Sequence, residues 1–283
     1  MNPFHFLHST ANAFGHHYRT RWSLLSFLAN QRQYTEPAEI ANEPTGFITH
    51  TRDNADQWKE EEERLIKTYR LDEMRQTCSR IRYIDTLNHL QFLELYFQHH
   101  PLPESLSHTE TPLRWLDVGA KNWLYVNAID AFLTVKRGKA HHEIVGIEID
   151  PNRMYVDGHT RQGHARSYIQ NAPHISYIAG DAMEHQDSYH VISSFLPFIV
   201  PEPCLNWGLP LSKLKPQAML SHLVDQLEPN GVLLIMNQDD DEDRVQAELL
   251  ANEPRLDIIW HDALPESFLQ YEYTRYAYTC LKK

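Results

Sequence analysis

The sequence predicts an α/β fold: a doubly wound, mostly parallel seven-stranded sheet with an antiparallel C-terminal strand, preceded by an N-terminal helical appendage. Three observations predict it. From Leu113 onward, short apolar runs alternate with segments of helical period, the pattern of a parallel sheet covered on both faces. Several runs end on acids and small residues, as at Asp117-Val118-Gly119 and Gly180-Asp181. The last two runs, RLDIIWHD and TRYAYTCLKK, lie too close for a crossover helix, so they pair antiparallel at the sheet edge.

Residues 1–35 contain no Asp or Glu but carry Arg19, Arg21 and Arg32. Such a start resembles a transit peptide, yet no small-residue cleavage signal follows. The alternative is a surface helix over Arg21–Asn30 that docks through Trp22, Leu25 and Phe27/Leu28. Thr35–Thr49, with Pro37, Pro44 and Gly46, reads as a connector. Asp53 then opens a charged run, DNADQWKEEEERLIKTYRLDEMR, whose early acids and later bases suit a helix dipole. Glu60–Glu63 read as a solvated helix face. A second helix over Ser79–His99 aligns Ile81, Ile84, Leu87, Leu90, Leu93, Tyr96 and Phe97 at 3–4 spacing, and Pro101 and Pro103 end it. Residues 1–111 are therefore expected to be a helical extension, and residues 112–283 the ligand-binding domain.

Within that domain RWLDVGA is the first strand and NWLYVNAIDAFLTV its helix. EIVGIEID and PNRMYVDGHTRQGHARSYIQN form the next strand and helix. HISYIAGD, YHVISSFLPFI and GVLLIMNQ supply three more strands before the closing pair.

Composition excludes several classes. Basic residues number 26 and acidic 38, a formal charge of −12, which opposes general nucleic-acid binding. No apolar run approaches the roughly 20 residues that span a bilayer. Cys78, Cys204 and Cys280 lie far apart, which argues against a disulfide framework or a cysteine zinc site and fits a cytoplasmic protein. The 18 histidines include surface-like doublets (His16-His17, His99-His100, His141-His142) and no H-E-x-x-H, so no metal is expected.

In an open α/β sheet, ligands bind beyond the carboxyl ends of the strands. Those ends carry Asp117-Val118-Gly119-Ala120, Glu148-Ile149-Asp150, Gly180-Asp181-Ala182, Ser193-Ser194-Phe195 and Asn237-Gln238. With LDVGA, VGIEID, AGDAM and LEPNGVLLI in this order, residues 113–283 resemble the class I, Rossmann-like S-adenosylmethionine-dependent methyltransferases. The resemblance implies S-adenosylmethionine as cofactor. It places Asp117, Gly119, Ala120 and Lys121 around the methionine moiety, Glu148 with Ile149 at the ribose, and Asp181 with Ala182 at the adenine, with Ser193 nearby. Asp150 competes with Glu148 for the ribose, although an Asp before Pro151 is also an ordinary helix cap.

One departure stands out. Where that family has its second and third glycines, this chain has Ala120-Lys121-Asn122-Trp123, which puts side chains where glycine lets backbone approach a ligand. Lys121 then becomes a candidate counter-charge for the methionine carboxylate. No G-x-G-x-x-G or G-x-x-x-x-G-K-[ST] occurs, which disfavours nicotinamide and ATP chemistry. The segment Phe195–Pro216 holds five prolines with Trp207 and Gly208, either a stiff wall over the acceptor or a loop pinned into the core. Phe195, Trp207, Asn237 and Gln238 are the acceptor-facing candidates. His190 and Tyr125 lie near the expected pocket, but no general base is assigned, and Cys204 reads as a loop thiol.

The expected function is methyl transfer to a small molecule or natural product. The competing readings are a non-catalytic partner subunit of methyltransferase fold and an aminopropyltransferase-like enzyme. A homodimer through the N-terminal helices is also open.

Overall fold

A computed structural model describes residues 18–31, 55–98, 112–138 and 141–283. Asp53, Thr35–Thr49, Pro101, Pro103 and the doublets at 16–17 and 99–100 lie outside the described residues. Helix α1 covers 18–30. Three helices follow, α2 (Ala55–Tyr69), α3 (Asp72–Thr77) and α4 (Arg80–Gln98). The remainder alternates: β1 (Leu113–Val118), α5 (Val126–Arg137), β2 (His142–Glu148), α6 (Arg161–Ile169), β3 (Ile175–Ala179), β4 (Tyr189–Phe195), α7 (Pro201–Asn206), α8 (Pro216–Gln226), β5 (Leu227–Asn237), α9 (Asp240–Ala251), β6 (Leu256–Ala263) and β7 (Tyr276–Lys282). The strands form one sheet in the order β3-β2-β1-β4-β5-β7-β6. The first five are parallel, and β7 runs antiparallel to both β5 and β6, as the sequence predicts.

Strand alternation builds two cores, because successive side chains point to opposite faces. In β5, Val232, Leu234 and Met236 join the cluster that packs α4 and α5 on the sheet, while Leu233 and Ile235 join the one under α8. Fully burying each large apolar side chain contributes about 1.5–3 kcal/mol. Helix α4 is buried on more than the expected face, since Thr86, Asn88 and His89 are also inaccessible. Polar partners make most of that burial tolerable, although the Thr86 hydroxyl has none among the described residues. The Tyr96 hydroxyl donates to the Ile235 carbonyl at 2.7 Å, and the Asn88 amide donates to the Tyr271 hydroxyl at 2.8 Å.

Three local expectations are corrected. The charged run is broken rather than continuous: Arg70 adopts φ 57°, and the Leu71 N–H returns to the Ile66 carbonyl at 3.1 Å, which ends α2. The segment after Asp150 is not helical until Arg161. Residues 151–160 fold into a tight excursion closed by a Met154–Thr160 bridge, and the Thr160 hydroxyl caps α6 by accepting the Gly163 N–H. In α1 only Phe27 of the expected docking set is buried. Trp22, Leu25 and Leu28 are 65%, 63% and 54% exposed. Polar contacts set this orientation, with the Arg19 guanidinium on Glu202 (2.9 Å) and the Gln31 amide on the Ile149 carbonyl (3.3 Å).

Candidate active site

The loop after β1 keeps a glycine-loop backbone with only its first glycine. Gly119, Lys121 and Trp123 all have positive φ (78°, 55° and 56°), the left-handed region that costs a non-glycine residue about 1 kcal/mol or more. Trp123 offsets that cost by turning into the core. It is fully buried, and its indole N–H donates to Oδ2 of Asp117 at 2.8 Å. A Cβ on Gly146 would lie 2.7 Å from this indole, so glycine in the middle of β2 is a packing requirement.

Asp117 is the hub beneath the loop. Its Oδ2 also accepts from the Tyr125 hydroxyl (2.8 Å), and its Oδ1 accepts from the Ser193 hydroxyl (2.5 Å), which itself accepts the Trp115 indole N–H. Burial pushes its carboxyl up to about 6 against these hydrogen bonds. Asp117 and Ser193 therefore lie behind the site wall, and neither lines the cavity; the neighbouring Ser194 does.

Glu148 closes β2 at the cavity. Oε2 accepts the Lys121 backbone N–H (2.9 Å); Oε1 accepts the Asp150 N–H (2.8 Å) and the Arg161 guanidinium (2.9 Å). Asp150 is fully buried outside the lining, paired with Arg153 at 2.8 Å, and burial raises its carboxyl above the ordinary value. Of the two acids proposed for one role, only Glu148 faces the cavity. At the end of β3, Asp181 caps a short turn by accepting the Met183 N–H (3.0 Å) and pairs with Lys213 Nζ (2.8 Å). Gly119, Ala120, Lys121, Glu148, Ile149, Asp181 and Ala182 thus line one cavity of about 530 Å³, a size typical of small-molecule sites.

The Trp207 ring forms part of the same wall. Lys121 Nζ lies 4.6 Å from its centroid and the Arg161 guanidinium 5.3 Å, so two cations face one π surface. Burial, and then the Arg161 charge, lowers the Lys121 ammonium to about 8.

The rest of the cavity joins Phe195, Tyr125 and Gln238 to residues the sequence did not single out, Asp85 and His89 of α4 and Tyr271 and Arg275 of the segment before β7. Phe195 packs on Tyr96 and Tyr125 with centroids 6.0 and 5.9 Å away. His89 stacks on Tyr125 at 4.0 Å and 10°. Its Nδ1 lies 2.9 Å from the Asp85 carbonyl, which can only accept, so Nδ1 carries the proton and the lone pair of the neutral ring sits on Nε2. The Asp85 carboxylate lies 3.4 Å from the same nitrogen. Burial opposes charging this ring, but Asp85 outweighs it and holds the imidazole above its ordinary value. Tyr271, Arg275, Gln238 and Glu242 complete this side. Of the two amides at the end of β5, Gln238 lines the cavity. Asn237 is fully buried outside the lining, with neither amide atom hydrogen-bonded.

Other candidates are structural. His190 accepts the Arg114 backbone N–H, and the Cys204 thiol is buried and pushed up to about 11, which removes it as a nucleophile. The signal for the α4 wall was present as Asp85-x-x-x-His89 within the periodic stretch, one helical turn apart.

No protein-family model matches the chain, and no curated protein matches it in sequence. Among solved structures, a Listeria monocytogenes protein provisionally assigned to the class I S-adenosylmethionine-dependent methyltransferases matches 79% of this chain and 68% of its own at 13% identity, TM-score 0.51. The N-methyltransferase NodS from Bradyrhizobium japonicum WM9 covers 69% of this chain and 97% of its own at 14% identity, TM-score 0.44. Magnesium protoporphyrin IX methyltransferase from Synechocystis PCC 6803, with bound S-adenosylmethionine, covers 79% and 97% at 11% identity, TM-score 0.46. In strand order, in the antiparallel β7 and in this likeness, the chain has the fold of the class I S-adenosylmethionine-dependent methyltransferases.

Proposed function

We propose that the chain is an S-adenosylmethionine-dependent methyltransferase acting on a small-molecule acceptor. The observation that carries this reading is that Gly119–Lys121, Glu148-Ile149 and Asp181-Ala182, from three strand ends, line one cavity with His89, Phe195 and Tyr271. These residues fit the cofactor. A Cβ built on Gly119 meets no atom within 4 Å, so backbone is open to a ligand there. Glu148 accepts three hydrogen bonds and Asp181 two, which leaves each carboxylate unused lone pairs. Glu148 would then hold the ribose, Asp181 the adenine and Lys121 the methionine carboxylate.

Bound there, S-adenosylmethionine supplies an activated methyl group on a sulfonium. The protein's task is to position the acceptor and keep the site dry. Phe195, Tyr125 and Tyr271 form the apolar wall. His89 accepts the acceptor's proton at Nε2, while Asp85 holds the ring in that tautomer. Arg275 and Gln238 orient the acceptor's polar groups. Residues 1–111 act as an extension whose helix α4 completes this wall on the 112–283 domain. No helix among the described residues is long and apolar enough to cross a membrane, and three cysteines that form no disulfide suit the cytoplasm.

One observation favours a non-catalytic partner subunit instead: Glu148 and Asp181 are already paired with Arg161 and Lys213. Calorimetry with S-adenosylhomocysteine separates the two. Saturable binding near one per chain supports the enzyme. No binding by folded protein supports the scaffold. For a binding-competent chain, label transfer from methyl-labelled S-adenosylmethionine across phenol, hydroxy-acid and amine panels identifies the acceptor. His89→Asn should then abolish transfer and leave S-adenosylhomocysteine binding intact.

A further inference from the structure

At the opposite end of β2 from Glu148, about 20 Å away along the strand, three side chains from separate segments meet. Asp130 comes from the middle of α5, His142 opens β2, and His174 immediately precedes β3. His142 was expected to be solvated as half of a surface doublet, yet its side chain is only 9% exposed. Both Nε2 atoms face the same carboxylate oxygen, Asp130 Oδ1, at 2.7 Å (His142) and 2.8 Å (His174). The imidazoles are mutually perpendicular, with centroids 5.0 Å apart at 88°, so they fan around a shared point rather than stack.

From this geometry we propose a second site, for a divalent transition metal, ligated by Asp130 Oδ1, His142 Nε2 and His174 Nε2. Hydrogen bonding alone would be served by one imidazole on each carboxylate oxygen. Convergence of both on one oxygen directs three donor atoms at one point, and all three lie within 4.8 Å of one another. Two imidazoles and one carboxylate are a Zn²⁺ donor set; Mg²⁺ and Ca²⁺ require oxygen-rich cages. Around tetrahedral zinc at about 2.1 Å the donor atoms stand roughly 3.4 Å apart. The Nε2 atoms of His142 and His174 therefore retreat about 0.7 and 0.6 Å from Oδ1, and each ring carries its remaining proton on Nδ1. His174, 37% exposed, has room to move and leaves a fourth position open to water. The metal would tie α5 to the starts of β2 and β3, a structural task unconnected with the cavity.

The test uses the untagged full-length chain, stripped with chelator and titrated with ZnCl₂ in a calorimeter. Co²⁺ serves as a visible-light probe of four-coordination. We expect one Zn²⁺ per chain at this site, an intense Co²⁺ visible band and a higher melting temperature with metal. His174→Ala and Asp130→Asn, an exposed truncation and an isosteric exchange, should each weaken binding at least about tenfold and remove the thermal shift. His141→Ala, one residue away, should change neither. The proposal is overturned if the chain shows no saturable binding. It is equally overturned if both variants bind like the parent, which would assign the metal to histidines elsewhere.

Discussion

The backbone N–H of Lys121 donates to Oε2 of Glu148 at 2.9 Å, and the Tyr177 hydroxyl donates to the Lys121 carbonyl at 2.7 Å. The loop after β1 is thereby fastened to the end of β2 and to the middle of its neighbour β3. Glu148 serves as cavity-lining acid and loop anchor together.

Glu148→Ala should therefore weaken S-adenosylhomocysteine binding by about 1–3 kcal/mol. It should also lower stability, because Arg161, 4% exposed, would lose the nearer of its two carboxylates and keep only Asp150 at 3.8 Å. Glu148→Gln keeps an acceptor for the loop N–H and should lose less of both. Calorimetry and thermal melts read the two effects, and an unchanged dissociation constant removes Glu148 from the site.

Gly146→Ala forces a methyl against the Trp123 indole and should cost about 1–3 kcal/mol by overpacking. Trp123→Leu relieves the clash but strips Asp117 of a donor. The double variant should be more stable than the sum of the two losses implies, a coupling that urea unfolding in a double-mutant cycle measures directly. Strict additivity would mean the two residues do not touch.

Asp117 titrates near 6 in the folded chain against an ordinary 3.8. Between those pH values the folded state keeps a proton that the unfolded state has lost, so this group's contribution to stability declines as pH rises from about 4 to 6. The full decline is about 3 kcal/mol. Asp117→Asn has no such proton, and the parent-minus-variant difference in unfolding free energy should fall across that window. A flat difference would refute the assignment.

Lys121 loses its charge near 8, because burial and Arg161 disfavour the ammonium. If it neutralises the methionine carboxylate, affinity for S-adenosylhomocysteine should drop several-fold between pH 7 and 9. Lys121→Met should bind weakly at both. A variant with the parent's pH profile would relocate the carboxylate.

The strand ends were legible in the sequence because acids and small residues recur where apolar runs stop, and Gly119, Glu148 and Asp181 do meet. Asp117 looked like its partners but turns inward. Its neighbours Trp123, Tyr125 and Ser193 all offer it hydrogen bonds, and an inward turn settled by how the loop folds and by the distant Ser193 leaves no trace in the strand pattern. The 151–160 excursion was hidden for a similar reason, as Arg153 and Arg161 fold back to Asp150 and Glu148 instead of extending a helix. In α4 the periodicity revealed a helix, but a polar residue such as Asn88 reads as solvent-facing until its partner Tyr271, far along the chain, is known.

That same helix has a consequence for synthesis. The Tyr96 carbonyl accepts the Thr279 hydroxyl and its own hydroxyl reaches Ile235, partners 183 and 139 residues downstream. A nascent chain leaving the ribosome gains α5 as cover for α4 early, but the face of α4 that packs on the sheet stays uncovered until β5 and β7 have been made. Folding should thus be slow to commit and intolerant of the loss of β7.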